Sequence, residues 1–112
     1  MNAMPHMEEI CRRVVAAYRK AYGDDIEAIY LYGSYARGDF DEDSDIDFVA
    51  IVKSDMSDSY KKRDQVLSDT VRMDLELDVI TSPMVISSKI FNEYKNEVGY
   101  YGNILKEGKR LA

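Results

Sequence analysis

Apolar positions recur along the chain with helical and strand-like spacings, and each run predicts an element. In residues 7–22, Ile10, Val14, Ala17, Tyr18 and Ala21 fall on one helical stripe. Gly23 is placed to close that helix. Residues 26–32, IEAIYLY, are β-branched, aromatic and nearly all apolar, which predicts a strand covered on both faces. Gly33-Ser34 ends it, and residues 35–38 open a short helix. A second strand is predicted at 46–52, IDFVAIV. Ser54 to Asp58 form a polar break rich in helix-capping residues. A helix over roughly 58–72 follows, with Tyr60, Arg63, Leu67 and Val71 along one side and Val66 and Thr70 beside them. Residues 74–81, DLELDVIT, alternate and predict a third strand, which Pro83 is expected to stop. Residues 84–112 read as helical with a break near Gly99. The order α-β-β-α-β-α predicts an α/β fold, a small sheet carrying helices, in one domain spanning 1–112.

Composition narrows the function classes. The chain has 112 residues, 46% apolar and 32% charged, which suits one folded globular domain. The formal net charge of −6 argues against a general nucleic-acid or anionic-membrane surface, because phosphates demand a basic footprint. A nucleotide remains compatible, since a cation can bridge acid to phosphate. Cys11 is the single cysteine and has no internal disulfide partner. The N-terminus lacks an apolar leader, and no apolar run approaches the ~20 residues that span a bilayer. These features predict a cytoplasmic protein with no membrane contact.

The charge is concentrated. Between Asp39 and Asp47, six of nine residues are carboxylates, wedged between two strands that want burial. Asp45 and Asp47 flank Ile46 at the mouth of the second strand. Residues two apart in a strand share a face, so both carboxylates are expected to project together while Ile46 enters the core. Two carboxylates so placed repel; one protonates or a cation sits between them. Oxygen-only ligands suit a hard ion such as Mg²⁺, which shares its sites with substrate phosphates. Asp78, in the third predicted strand, is the expected third carboxylate; Asp74 and Glu76 share its strand parity and are the alternatives. Three carboxylates on adjacent strands suit a two-metal phosphoryl-transfer centre. Gly33 lets backbone approach a phosphate, Ser34 offers a hydroxyl at a helix start, and Arg37 adds a charge-assisted contact. Tyr35 reads equally as a base-stacking or a packing residue.

A calcium loop is the competing reading of the acids, and it fails. A loop beginning at Asp41 needs Gly and Glu where Ile46 and Val52 stand, and one beginning at Asp39 meets Ser44 and Ala50. Asp39, Asp41, Glu42 and Asp43 are therefore read as a solvated loop.

The stretch GSYARGDFDEDSDID resembles the signature of the nucleotidyltransferase superfamily that includes DNA polymerase β. Gly33-Ser34 is followed by ten residues, Tyr35 to Ser44, and then Asp45-Ile46-Asp47. Ala36-Arg37-Gly38 and Ser44 match further elements, and Leu77-Asp78-Val79 matches the later apolar-Asp-apolar strand. The likeness runs over roughly 26–81, and the tail NILKEGKRLA is similar to the end of minimal single-domain (MNT) members. The resemblance implies a small mixed β-sheet with flanking helices, the polymerase β-like fold. It implies ATP as substrate, with two Mg²⁺ ions held by Asp45, Asp47 and Asp78. It also implies Gly33, Ser34, Arg37 and Ser44 around the nucleotide, and Asp78 helping to deprotonate the attacking hydroxyl.

Larger members carry an acceptor-binding domain for which this chain has no residues left, so another protein or a second copy is expected to present the acceptor. Minimal members pair with HEPN-domain toxins and transfer AMP to a toxin tyrosine. The resemblance therefore implies an antitoxin that adenylylates a HEPN toxin. The alternative is a non-catalytic nucleotide-binding module that neutralises a partner by covering it. A homo-oligomeric small-molecule transferase, with Tyr94, Tyr100 and Tyr101 at its interface, is a third arrangement.

Overall fold

The computed structural model describes residues 4–54, 59–97 and 99–112. A short 3₁₀ turn at Met4–His6 leads into α1 (Met7–Tyr22), whose last turn is closed by Gly23 with φ 55° and its N–H on the Arg19 carbonyl. A second 3₁₀ turn leads into β1 (Ile26–Tyr32), then α2 (Ser34–Arg37) and β2 (Ile46–Val52). Next come α3 (Ser59–Leu77), β3 (Thr81–Ser87), α4 (Ser88–Tyr94), α5 (Tyr100–Glu107) and β4 (Lys109–Arg110).

The sheet has the order β3-β2-β1-β4. β1 pairs antiparallel with both β2 and β4, while β2 and β3 run parallel, so the sheet is mixed. A parallel pair needs a crossover, and α3 supplies it. The strands alternate between two buried layers. Ile29, Leu31, Phe48, Ala50, Val52 and Val85 face one layer with Ile10, Val14 and Tyr18 of α1 and Val66 and Met73 of α3. Val49, Ile51 and Ile86 face the other, with Phe91 of α4 and Ile104 of α5. Helices thus cover both faces of the sheet, which is why β2 reads as an almost unbroken apolar run. Among the described residues no helix is long and apolar enough to cross a membrane.

The strand expected at 74–81 is not there. α3 continues to Leu77, Asp78 turns the chain with φ 53°, and the third strand begins at Thr81. Pro83 lies inside this strand, opposite Phe48, instead of stopping it. β3 is an edge strand, where a missing N–H is tolerated. Asp74, in the last turn of α3, ties down the start of β3. Its carboxylate accepts the Thr81 N–H at 3.1 Å and the Thr81 hydroxyl at 2.9 Å, and its carbonyl accepts the Val79 N–H at 3.2 Å. Ile46 N–H then donates to the Ile80 carbonyl at 2.9 Å, joining the start of β3 to the mouth of β2. The capping candidates at Asp55 to Asp58 lie outside the described residues.

Asp74→Ala removes both bonds to Thr81 at once. A loss of about 1–3 kcal/mol of unfolding free energy is expected in urea titrations. Thr81→Val, which keeps the shape and loses the hydroxyl, is expected to cost less.

Candidate functional site

β1 and β2 place the candidate residues at one end of the sheet. Tyr32 is paired with Asp47, so the next residue, Gly33, turns over the Asp47 side chain. Gly33 has φ 74° and ψ −155°, a region open in practice only to glycine. A Cβ built there would run into the Asp47 carboxylate. Glycine is required here twice over, by conformation and by contact. The bend passes into α2, where the Gly33 carbonyl accepts the Ala36 and Arg37 N–H groups and the Ser34 carbonyl accepts those of Gly38 and Asp39. The amides of Ser34 and Tyr35 thereby open the first turn, where no earlier carbonyl of the helix can reach them. Tyr35 is buried and stacks on Phe40 with ring centroids 4.3 Å apart, so it packs.

The alternation expected around Ile46 is observed. Ile46 is buried in the α1/α3 layer, and Asp47 shares the parity of Val49 and Ile51 on the opposite face. Asp45 is exposed just ahead of the strand, and Asp47 is half-buried. Burial pushes the Asp47 carboxyl above its ordinary value, the Asp45 charge pushes it further, and Arg37 draws it back. The two acids therefore feel each other, as the sequence predicts. Ser44 anchors the turn before them: its hydroxyl accepts the Asp41 N–H at 2.9 Å and donates to the Asp41 carboxylate at 3.2 Å.

Arg37 stands across the bend. Its Nε donates to Asp39 at 3.2 Å and its Nη1 to Glu107 of α5 at 3.3 Å. Both pairs are exposed and weak enough for a phosphate to displace them. Glu107, 70 residues away in sequence, is a neighbour that the motif spacing does not reveal.

The third carboxylate departs from expectation. Asp78 lies on the turn behind α3 and not on a strand, and it is exposed. It lines a cleft of about 210 Å³ together with Tyr35, Ser44, Ile46 and Ile80. Ser44 and Ile46 are the residues on either side of Asp45, so the cleft opens beside Asp45, on the face opposite Asp47. Of the alternatives, Glu76 is committed to Arg13 at 2.8 Å. Asp74 lies close enough to Asp45 to feel its charge; burial first, and Asp45 last, raise its carboxyl against the lowering bonds from Thr81. Among the described residues no group of three or more acids, histidines or cysteines is close enough to hold a metal ion. The acids present fit a more modest arrangement. Two neighbouring carboxylates, one exposed and one half-buried, suit a hard divalent cation that completes its shell with water and substrate phosphate.

Comparison with known proteins gives a consistent picture. The family model for the nucleotidyltransferase domain matches residues 11–111. Two proteins of Methanocaldococcus jannaschii, each named "Putative protein adenylyltransferase", are similar in sequence. One is 33% identical over 104 residues, 93% of this chain and 96% of the relative. The other is 34% identical over 79 residues, 70% of this chain and 78% of the relative. In structure, a chain of a toxin–antitoxin crystallised with AMP-PNP superposes with a TM-score of 0.55 at 18% identity, covering 88% of this chain and 70% of that one. A chain of a mutant toxin–antitoxin MntA-HpeT gives 0.54 at 16% identity, covering 88% and 69%. At these identities the two structures speak for the fold alone.

Two variants test the geometry. Gly33→Ala forces an L-residue into this conformation against Asp47 and is expected to cost about 1–3 kcal/mol in denaturant melts. For Asp47 the sign is the reverse. Its carboxyl is raised in the fold, so the fold favours the protonated form, and stability is lost as pH rises through the folded value. Asp47→Asn is therefore expected to raise the melting temperature at neutral pH, with the gain disappearing below the ordinary carboxylate range.

Proposed function

The chain belongs to the nucleotidyltransferase family, and from that premise we propose that it transfers AMP from ATP to a hydroxyl of a partner protein. The observation that carries this reading is the Asp45–Asp47 pair fixed against the Gly33 bend. Asp45 and Asp47 would hold Mg²⁺, two ions on the fullest form of the reading. When bound, the cation supplies charge neutralisation at the phosphates and Lewis acidity at the transferring phosphorus. The Gly33-Ser34 bend lets backbone come close to the triphosphate, Ser34 and its amide donate to phosphate oxygens, and Ser44 steadies the approach to the acids. Arg37 exchanges Asp39 and Glu107 for the triphosphate. The acceptor oxygen bonds to the α-phosphorus, the bond to the bridging oxygen breaks, and pyrophosphate leaves. Asp78, exposed in the cleft beside Ser44 and Ile46, suits the role of base for the acceptor proton better than that of a cation ligand.

The proposed acceptor is a tyrosine of a HEPN-domain toxin, which would make the chain an antitoxin. The names of the two relatives support transfer to a protein acceptor, and the toxin as that acceptor follows the family resemblance, with which the fold shared with toxin–antitoxin chains is compatible. A protein acceptor also agrees with the acidic composition, which disfavours direct nucleic-acid binding.

The binding-module reading draws on a specific observation: the described residues gather two acids and not three, and Arg37 is held by other carboxylates. One experiment separates the two. The protein is incubated with ATP labelled at the α-phosphate, Mg²⁺ and the toxin, and toxicity is followed in parallel. Label is expected on the toxin and none after chelation. Asp45→Ala or Asp47→Ala is expected to cut labelling on the order of a hundredfold or more. Neutralisation that survives both changes, with no label transferred, would establish the module instead.

A further inference from the structure

The acid pair and the bend serve the nucleotide side of this reaction, while an apolar rim beside them has no part in it. Leu75 of α3 is 81% exposed, Ile80 64% and Val71 51%. Val71 and Leu75 are four apart on α3 and share one face. The backbone bond from Val79 N–H to the Asp74 carbonyl closes the turn at the end of α3; Leu75 lies within that turn and Ile80 follows it directly in sequence. Ile80 also lines the 210 Å³ cleft with Asp78, Val79 and Ile46. Of the three, Ile80 lies at the cleft, while Leu75 and Val71 continue the exposed apolar surface along the end of α3; side chains this bare are what a protein surface keeps for docking.

The charge around the rim indicates what docks. Glu42, Asp43 and Asp78 line the cleft, and Asp45 stands between two of its lining residues. Among the described residues no basic side chain lines the cleft; on the α1/α3 side, Arg13 and Arg72 share the single carboxylate of Glu76. An acidic partner would meet a like field at the cleft mouth, and a basic one a complementary field.

We propose that this corner is the acceptor site: the cleft receives a hydroxyl-bearing side chain of a partner protein, and Val71, Leu75 and Ile80 receive an apolar patch flanked by lysine or arginine. The inference rests on the nucleotidyl-transfer reading above. The cleft brings the incoming hydroxyl past Asp78 to the side of Asp45 where the nucleotide's α-phosphate is expected, and the rim holds the rest of the partner away from the phosphate grip at Arg37.

Two synthetic peptides test it, each with one tyrosine beside a leucine, one flanked by lysines and the other by glutamates. Both are offered with Mg²⁺ and α-labelled ATP. The lysine-flanked peptide is expected to be labelled with a kcat/KM roughly tenfold or more above the other. The double variant Val71→Ser, Leu75→Ser replaces exposed side chains, keeps its melting temperature, still binds Mg·ATP by calorimetry, and is expected to lose roughly tenfold in kcat/KM for that peptide. Glu42→Lys with Asp43→Lys is expected to narrow or invert the preference between flanks. Equal labelling of the two peptides, or a double variant that labels as well as the parent, would overturn the assignment. Retained Mg·ATP binding with neither peptide labelled would overturn the acceptor site and leave the nucleotide reading standing. Failure to bind Mg·ATP at all would overturn both.

Discussion

The register between β1 and β2 is the constraint on which the rest of the site depends. Tyr32 opposite Asp47 puts the one residue without a side chain, Gly33, over a carboxylate that a methyl group would displace. A slip of a single residue would turn Asp47 into the α1/α3 core and Ile46 to the opposite face. Both layers are apolar, so what opposes the slip is the cost of carrying the Asp47 charge into the core where Ile46 now lies. The core therefore holds two like charges together that would separate if they were free.

Most of the architecture was legible in the sequence because it follows from strong periodic signals. The helix over 7–22 and the strands at 26–32 and 46–52 occur at the residues their patterns indicate. The region after α3 misleads for a physical reason. In DLELDVIT the leucines and valine alternate with acids, which imitates a strand, yet Met73 and Leu77 also continue the helical row from Val66 and Thr70. The acids decide between the two: Glu76 reaches Arg13 on α1, and Asp74 clasps Thr81. Both are tertiary contacts, absent from any local pattern. Pro83 misleads in the same way, because its reading as a stop depends on whether the strand is central, and only the topology says that it lies at the edge.

The site shows a similar division. The Gly-Ser bend, the acid pair and Arg37 are close in sequence and were legible from spacing. Asp78 belongs to the cleft and not to a strand, and Glu107 enters from the last helix through the fold alone. The result is a two-sided arrangement about Asp45, with Asp47 and Arg37 on one side and the cleft lined by Asp78 on the other. A transfer reaction between two substrates has use for such a division, since donor and acceptor can arrive by separate routes.

The margins of the sheet carry one more consequence. At one margin Pro83 offers no N–H, and at the other β4 pairs over only two residues. Neither border offers a long run of open main-chain donors and acceptors on which a foreign strand could grow. Fibrous association through the backbone is thereby discouraged, and recognition of other molecules is left to side chains projecting from helices and loops.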